Sequence, residues 1–165
     1  MLDLGVPERR ARQQWPNLSL DNFRHTSEPA DYNCIAHAMR DNDRWWEPSG
    51  NPEHFWPDGV VKDYSLDSFK AAFRTRHYED CADGSLETGF EKIAIYWNHR
   101  GFRHIARQLV NGHWTSKLGD VKDIEHDTLD DLAGDFYGQP TYYMRRPRGT
   151  ETAQAKRRRR RRRRK

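Results

Sequence analysis

Three features predict an α+β domain with N-terminal helices packed on a small antiparallel sheet. Two helix-like segments precede residue 80, a series of strand-like segments joined by tight turns runs from 93 to 118, and 6 Trp, 7 Tyr and 7 Phe supply a core to an otherwise polar chain. The 165 residues suffice for one domain. A mean hydropathy of −1.16 alone would suggest disorder, but disordered chains are poor in aromatics.

Residues 1–25 read as an extended polar arm, with Trp15, Leu18 and Leu20 available to pack onto the domain. In "HTSEPADYNCIAHAM", Pro29 disfavours helix at Ala30, and Asp31 is suited to cap a helix running from Tyr32 to about Arg40. The following "DNDRWWEPSGNPEHFWPDGV" is a loop dense in Pro, Gly and Trp, of the length that tends to be functional. "SLDSFKAAFRTRHY" is a second helix, capped by Ser65, with Leu66, Phe69 and Phe73 on one stripe. Strands follow at Ile93 to Trp97, Phe102 to Leu109 and His113 to Leu118, joined by "NHRG" and by Asn111-Gly112, a strong hairpin signal. "TLDDLAGDFYG" reads as a short helix capped by Asp127, and "TYYMRR" as a last strand. The domain is expected over residues 26–147, with a disordered basic tail over 148–165.

The net charge of +4 averages two different objects. Ten of the 29 basic residues lie in 156–165, so the remainder carries 19 against 25 acidic residues, a net of −6. Such a cationic block stays solvated and suits nucleic acid or another polyanion, although its plainer reading is a purification tag or a natural low-complexity end. No run of 18 apolar residues suggests a membrane span, and no apolar N-terminal region suggests a signal peptide, so a cytoplasmic-type, reduced protein is expected. Cys34 and Cys81 form no CxxC, and no HExxH, P-loop, dinucleotide fingerprint or zinc-deaminase signature occurs, so neither metal nor cofactor is expected.

The chemistry therefore centres on Cys34. Capped by Asp31, it would be the third residue of its helix, where the positive helix end favours thiolate and free N–H groups can hold an oxyanion. The plain alternative is a buried thiol acting as a small hydrophobe. Among eight histidines, His104 lies mid-strand, where a sheet would hold its ring, whereas His37 shares the short helix with Cys34. Two hairpin registers remain open. A two-residue loop puts Lys117, Val121 and Asp123 on the His104 face; a three-residue loop puts Ser116 and Asp120 there. Trp45, Trp46, Phe55 and Trp56 are placed either to rim a groove or to fill the core. On this reading Cys34 reacts with iodoacetamide much faster than Cys81.

The ordered set "YNCIAHA", "RWWEP", "FWPDGV", "GFEKIAIY", "HIARQL", "GHWTSKLG", "DIEH" and "YG" resembles an uncharacterised bacterial domain family over roughly residues 15–147. The matching positions are Cys34, His104, Ser116, Lys117, Asp123 and His126. Residue 120 falls between motifs, which favours Asp123 as the group orienting His104, and His37 stands where the family pattern has an aromatic. The layout is similar to papain-like, NlpC/P60-like and amidase-effector proteins. It implies a papain-like cysteine hydrolase, peptidase or amidase, acting on an amide or isopeptide bond of a peptide or protein. Cys34 would attack, His104 would move the proton, Asn33 and Cys34 would hold the oxyanion, and Trp45, Trp46, Trp56 and Trp114 would line the groove. The rival expectations are a non-catalytic binding domain with a polyanion-binding tail, and a toxin or immunity component.

Overall fold

The computed structural model describes residues 1–27, 30–119 and 121–149. Its centre is one seven-stranded sheet, antiparallel throughout, and this overturns the expected papain-like α+β layout. In chain order the elements are α1 (Glu8–Gln14), β1 (Phe23–Ser27), α2 (Cys34–Ala38), α3 (Leu66–Arg74), β2 (Glu79–Cys81), β3 (Phe90–Asn98), β4 (Gly101–Gln108), β5 (Trp114–Lys117), β6 (Asp123–His126), a 3₁₀ turn (Leu129–Leu132) and β7 (Gln139–Pro147). The strand order is β1-β6-β5-β4-β3-β7-β2. Strands dominate, and the helices are few and short. The fold is mainly β because segments expected to be arm or loop supply further strands, while the expected helices are short. "DIEH" is β6, and the supposed N-terminal arm carries α1 and leads into β1. The basic run at 156–165, with its expected polyanion partner, lies outside the described residues. Among the described residues, no helix is long and apolar enough to cross a membrane.

Side-chain alternation along the strands gives the sheet two faces, and both are covered. On one face, Ala94, Tyr96, Ala106, Trp114 and Ile124 pack against Leu2, Leu4, Trp15, Leu18 and the 129–137 segment. On the other, Ile93, Ile95, Ile105 and Met144 pack against α2, α3, Trp46 and Trp56. β3 lies between β4 and β7 with Glu91 to Tyr96 all buried, an apolar run preceded by two buried charges, Glu91 and Lys92.

Local chemistry explains the turns and caps. Ser65 caps α3 by accepting from the Ser68 N–H at 3.2 Å, and Phe69, Ala72 and Phe73 form its buried stripe. The β4–β5 hairpin has a three-residue loop, Val110 to Gly112, closed by Leu109 N–H donating to the His113 carbonyl at 2.7 Å. Gly112 takes the positive φ of 87° that this loop demands. Of the two registers open in the sequence, the structure therefore adopts the one that sends Ser116 to the His104 face.

β7 enters beside β3 through Gly138, whose φ is 77° and where an added Cβ would lie 2.2 Å from the Trp97 carbonyl oxygen. Gly59 has nearly the same φ, 78°, with nothing within 4 Å of its Cβ position. Gly59→Ala should thus cost about 1 kcal/mol from backbone strain alone, and Gly138→Ala roughly 3 kcal/mol or more from strain plus collision. Equal denaturation midpoints for the two variants would contradict this packing.

Candidate active site

Cys34 opens α2, but the cap is Asn33 rather than Asp31. The Asn33 Oδ1 accepts from Ala36 N–H at 3.1 Å and Trp46 N–H at 3.2 Å, while its Nδ2 donates to the Trp46 carbonyl at 2.5 Å. Both polar atoms of the side chain thus tie the aromatic loop to the helix, while Nδ2 keeps a second N–H. α2 is only five residues long, and Cys34 is its first. The backbone N–H groups of Ile105, Ile35 and Cys34 lie against the sulfur and favour thiolate. Burial outweighs them and pushes the Cys34 pKa up to about 12. The activation expected from a helix end is therefore overridden, and the resting group is a neutral thiol.

Cys34 sits at the waist of a two-part cleft. The outer part, about 400 Å³, is walled by Trp45, Tyr64, Phe102 and Glu47. The inner part, about 240 Å³, is walled by Trp15, His104, Phe136 and Tyr137. Cys34, Arg103 and Gly119 line both. Of the four tryptophans expected to line a groove, Trp45 does so; Trp46, Trp56 and Trp114 are buried in the core.

His104 is fully buried, its ring stacked on Tyr137 with centroids 4.3 Å apart and planes 4° from parallel. Its Nε2 lies 3.0 Å from Ser116 Oγ, Ser116 Oγ lies 2.8 Å from His126 Nε2, and His126 Nδ1 lies 2.8 Å from the Thr128 carbonyl oxygen. The chain has one consistent proton order. A carbonyl only accepts, so His126 Nδ1 donates; its Nε2 then accepts from Ser116, whose oxygen accepts from His104 Nε2–H. His104 Nδ1 is left as a bare lone pair, and it is buried without a hydrogen-bond partner. Burial, reinforced by nearby His126 and His37, holds the His104 pKa well below its ordinary value.

Asp123 does not serve His104. It lies on the opposite face of the sheet, where its Oδ2 accepts from Tyr32 OH and from Ser27 Oγ at 2.7 Å and sits 3.4 Å from His37 Nδ1. Lys117 Nζ is 3.9 Å from its Oδ1. His37 Nε2 is meanwhile 2.8 Å from Thr115 Oγ1, so both its nitrogens face partners away from the cleft. The structure thus brings Cys34 and His104 to one cleft, joins Ser116 and His126 to His104, and keeps Asp123 apart. Asp120, the other orienting candidate, lies outside the described residues.

Two cleft residues are not singled out from the sequence. Tyr137 falls in the "YG" of the family set, but in a segment that otherwise reads only as helix. Arg103 is the extra residue of a β-bulge: Tyr96 pairs with His104 and Trp97 with Phe102. Strand alternation alone puts Arg103 on the face opposite His104, and a bulge re-aims it. Among the described residues, no three His, Cys, Asp or Glu side chains are grouped to hold a metal.

Compared with known proteins, residues 24–145 match the profile of a domain of unknown function, DUF7689, and the chain belongs to that family. No curated protein and no solved structure matches it.

The buried histidines make stability pH-dependent. His126 and His37 are each lowered to about 4, against 6.5 when unfolded, with burial as the main cause. Their folded-state stabilisation is complete above pH 6.5 and declines as pH falls toward 4. His126 alone contributes on the order of 3 kcal/mol across that window. The thermal midpoint should fall between pH 6.5 and 5, before carboxylates titrate; a flat profile there would refute neutral burial. Both cysteines are partly exposed, but burial holds the Cys34 pKa up at about 12, so in the free protein at neutral pH iodoacetamide should label Cys81 before Cys34, as peptide mapping can establish.

Proposed function

We propose that this member of the DUF7689 family is a cysteine hydrolase acting on an amide or isopeptide bond of a peptide or protein, with Cys34 as nucleophile and His104 as base. The observation that carries the proposal is the shared cleft, whose wall holds both Cys34 and a histidine whose only unpaired nitrogen is a fixed lone pair. Because thiol and imidazole are both neutral at rest, the thiol proton would pass to His104 Nδ1 as the sulfur attacks the carbonyl carbon. The imidazolium would then protonate the leaving nitrogen as the C–N bond breaks. Water, deprotonated by the same ring, would hydrolyse the thioester and restore the thiol. Ser116 and His126 would act on His104 alone, fixing its ring and tautomer. The N–H groups of Cys34 and Ile105 beside the sulfur would receive the oxyanion. A reducing, cytoplasmic setting belongs to this proposal, and both cysteines are free.

A second reading, a binding domain without catalysis, is favoured by one observation: His104 Nδ1 makes no hydrogen bond to the thiol in the free protein. A peptidyl vinyl sulfone separates the two, because its addition needs both a thiolate and a proton donor. The hydrolase reading expects a covalent adduct on Cys34 and not on Cys81, slowed about 10²-fold or more by His104→Gln. Absence of the Cys34 adduct, or a rate indifferent to His104→Gln, leaves the binding reading in possession.

A further inference from the structure

We infer that the waist of the cleft is a carboxylate-binding subsite anchored by Arg103, and that its occupant is a peptide bearing a carboxylate beside the segment that crosses Cys34. The bulge places Arg103 in the wall of the outer cleft, of the inner cleft, and of a flanking hollow of about 370 Å³. Two contacts hold its guanidinium. The Nε donates to the Phe136 carbonyl oxygen at 3.1 Å, and the carbon centre lies 5.6 Å from the Phe136 ring centroid. Both leave the terminal nitrogens unused, and among the described residues no acid or carbonyl pairs with them. A guanidinium immobilised through Nε with its outer nitrogens unpaired is a preorganised fork for a planar carboxylate.

The surrounding charge points the same way. Arg10 adds a second cation to the inner part and Arg100 one to the outer part. The acid of the outer wall, Glu47, has His54 Nδ1 3.1 Å away, and the flanking hollow sets one acid, Asp135, against Arg100 and Arg103. The chain outside residues 156–165 is acidic overall, so this cationic waist is a local exception. Aromatic walls on both sides, Trp45 and Tyr64 outside and Trp15 inside, suit the side chains of a peptide flanking that carboxylate.

The inference deepens the proposed function but needs no reaction, so it is tested on the full chain carrying Cys34→Ala, where loss of the nucleophile cannot affect the result. Three probes are titrated at 0.15 M salt, followed by tryptophan fluorescence and calorimetry. They are acetyl-Ala-Phe-Ala with a free C-terminal carboxylate, its C-terminal amide, and acetyl-Ala-Phe-Glu-amide. At least one acidic probe should bind about tenfold or more tightly than the neutral amide, and which one does so identifies a terminal or a side-chain carboxylate. Arg103→Gln should erase that preference, Arg103→Lys should keep part of it, and Arg74→Gln, the same change in net charge at an exposed arginine of α3 that lines no part of the cleft, should leave it intact. Equal binding of all probes, no binding of any, a preference surviving Arg103→Gln, or an equal loss in Arg74→Gln overturns the inference. The vinyl sulfone result stands apart: an adduct on Cys34 without an acid preference keeps the hydrolase and discards the subsite, and the converse does the opposite.

Discussion

Burial of the sheet on both faces is the constraint on which the rest of this structure depends. An antiparallel sheet with one wet face can turn its polar side chains to water; here alternate positions on β4, β5 and β6 point into protein whichever way they face. Every polar residue on those strands must therefore find a partner or lose its charge. The two faces solve the problem differently. His104, Ser116 and His126 share one face as a neutral hydrogen-bonded chain ending on a backbone carbonyl. Asp123 and Lys117 share the other as an ion pair, with neutral His37, Tyr32 and Ser27 around the carboxylate.

The same face that carries Asp123 also carries a denser knot of charge. Glu91 is fully buried, with Arg40 Nε 3.4 Å away, Arg146 Nη2 3.5 Å, Arg107 Nε 3.6 Å and Tyr78 OH 3.3 Å. Burial alone would raise its pKa, but three guanidinium groups together bring it below the ordinary value. The carboxylate is what allows Arg107 and Arg146 to stay inside, and Arg146 gains further hold from the Arg76 carbonyl at 3.1 Å and the face of Tyr78. Removing Glu91 would leave buried cations facing one another, which is why this knot stabilises only as a unit. It joins β3, β4 and β7 to the chain after α2, setting the position of the helix that begins with Cys34.

The central hairpins were legible because their turns carry unmistakable chemistry. Asn111-Gly112 and "NHRG" sit between apolar runs, and α3 announces itself through Ser65 and the Phe69–Phe73 stripe. The outer strands were not. "FRHTS", "EDC" and "DIEH" are short and polar, lacking the alternation that marks a strand, and they exist because neighbours already in place offer them a ladder. Asp31 and Asn33 are both good caps. The choice of Asn33 depends on Trp46, thirteen residues on, whose backbone binds the same amide. In the site, that Cys34 and His104 line one cleft could be read from the helix and strand carrying them. The orienting group could not, because one residue of loop length decides between Ser116 and Asp123. Arg103 is hidden for a related reason, since a bulge breaks the rule by which facing is inferred.

The same double burial explains why sequence reasoning misjudged the state of Cys34. A cap, a helix start and free N–H groups all argue for thiolate, and each is present, yet all are local effects of limited reach. Desolvation acts on the whole environment, and with a helix of only five residues it dominates. Such a site holds thiol and imidazole neutral at rest. Under the proposed function, a peptide carbonyl arriving at the waist would bring the one group on which the sulfur's charge could be placed without leaving a poorly solvated anion, because the developing charge would move to an oxygen beside the N–H groups. The lone pair on His104, kept bare by a hydrogen-bond chain that begins at Thr128, would then take the proton that must leave. Burial would in that case be not the obstacle to the proposed chemistry of Cys34 but the gate that confines it to an occupied cleft.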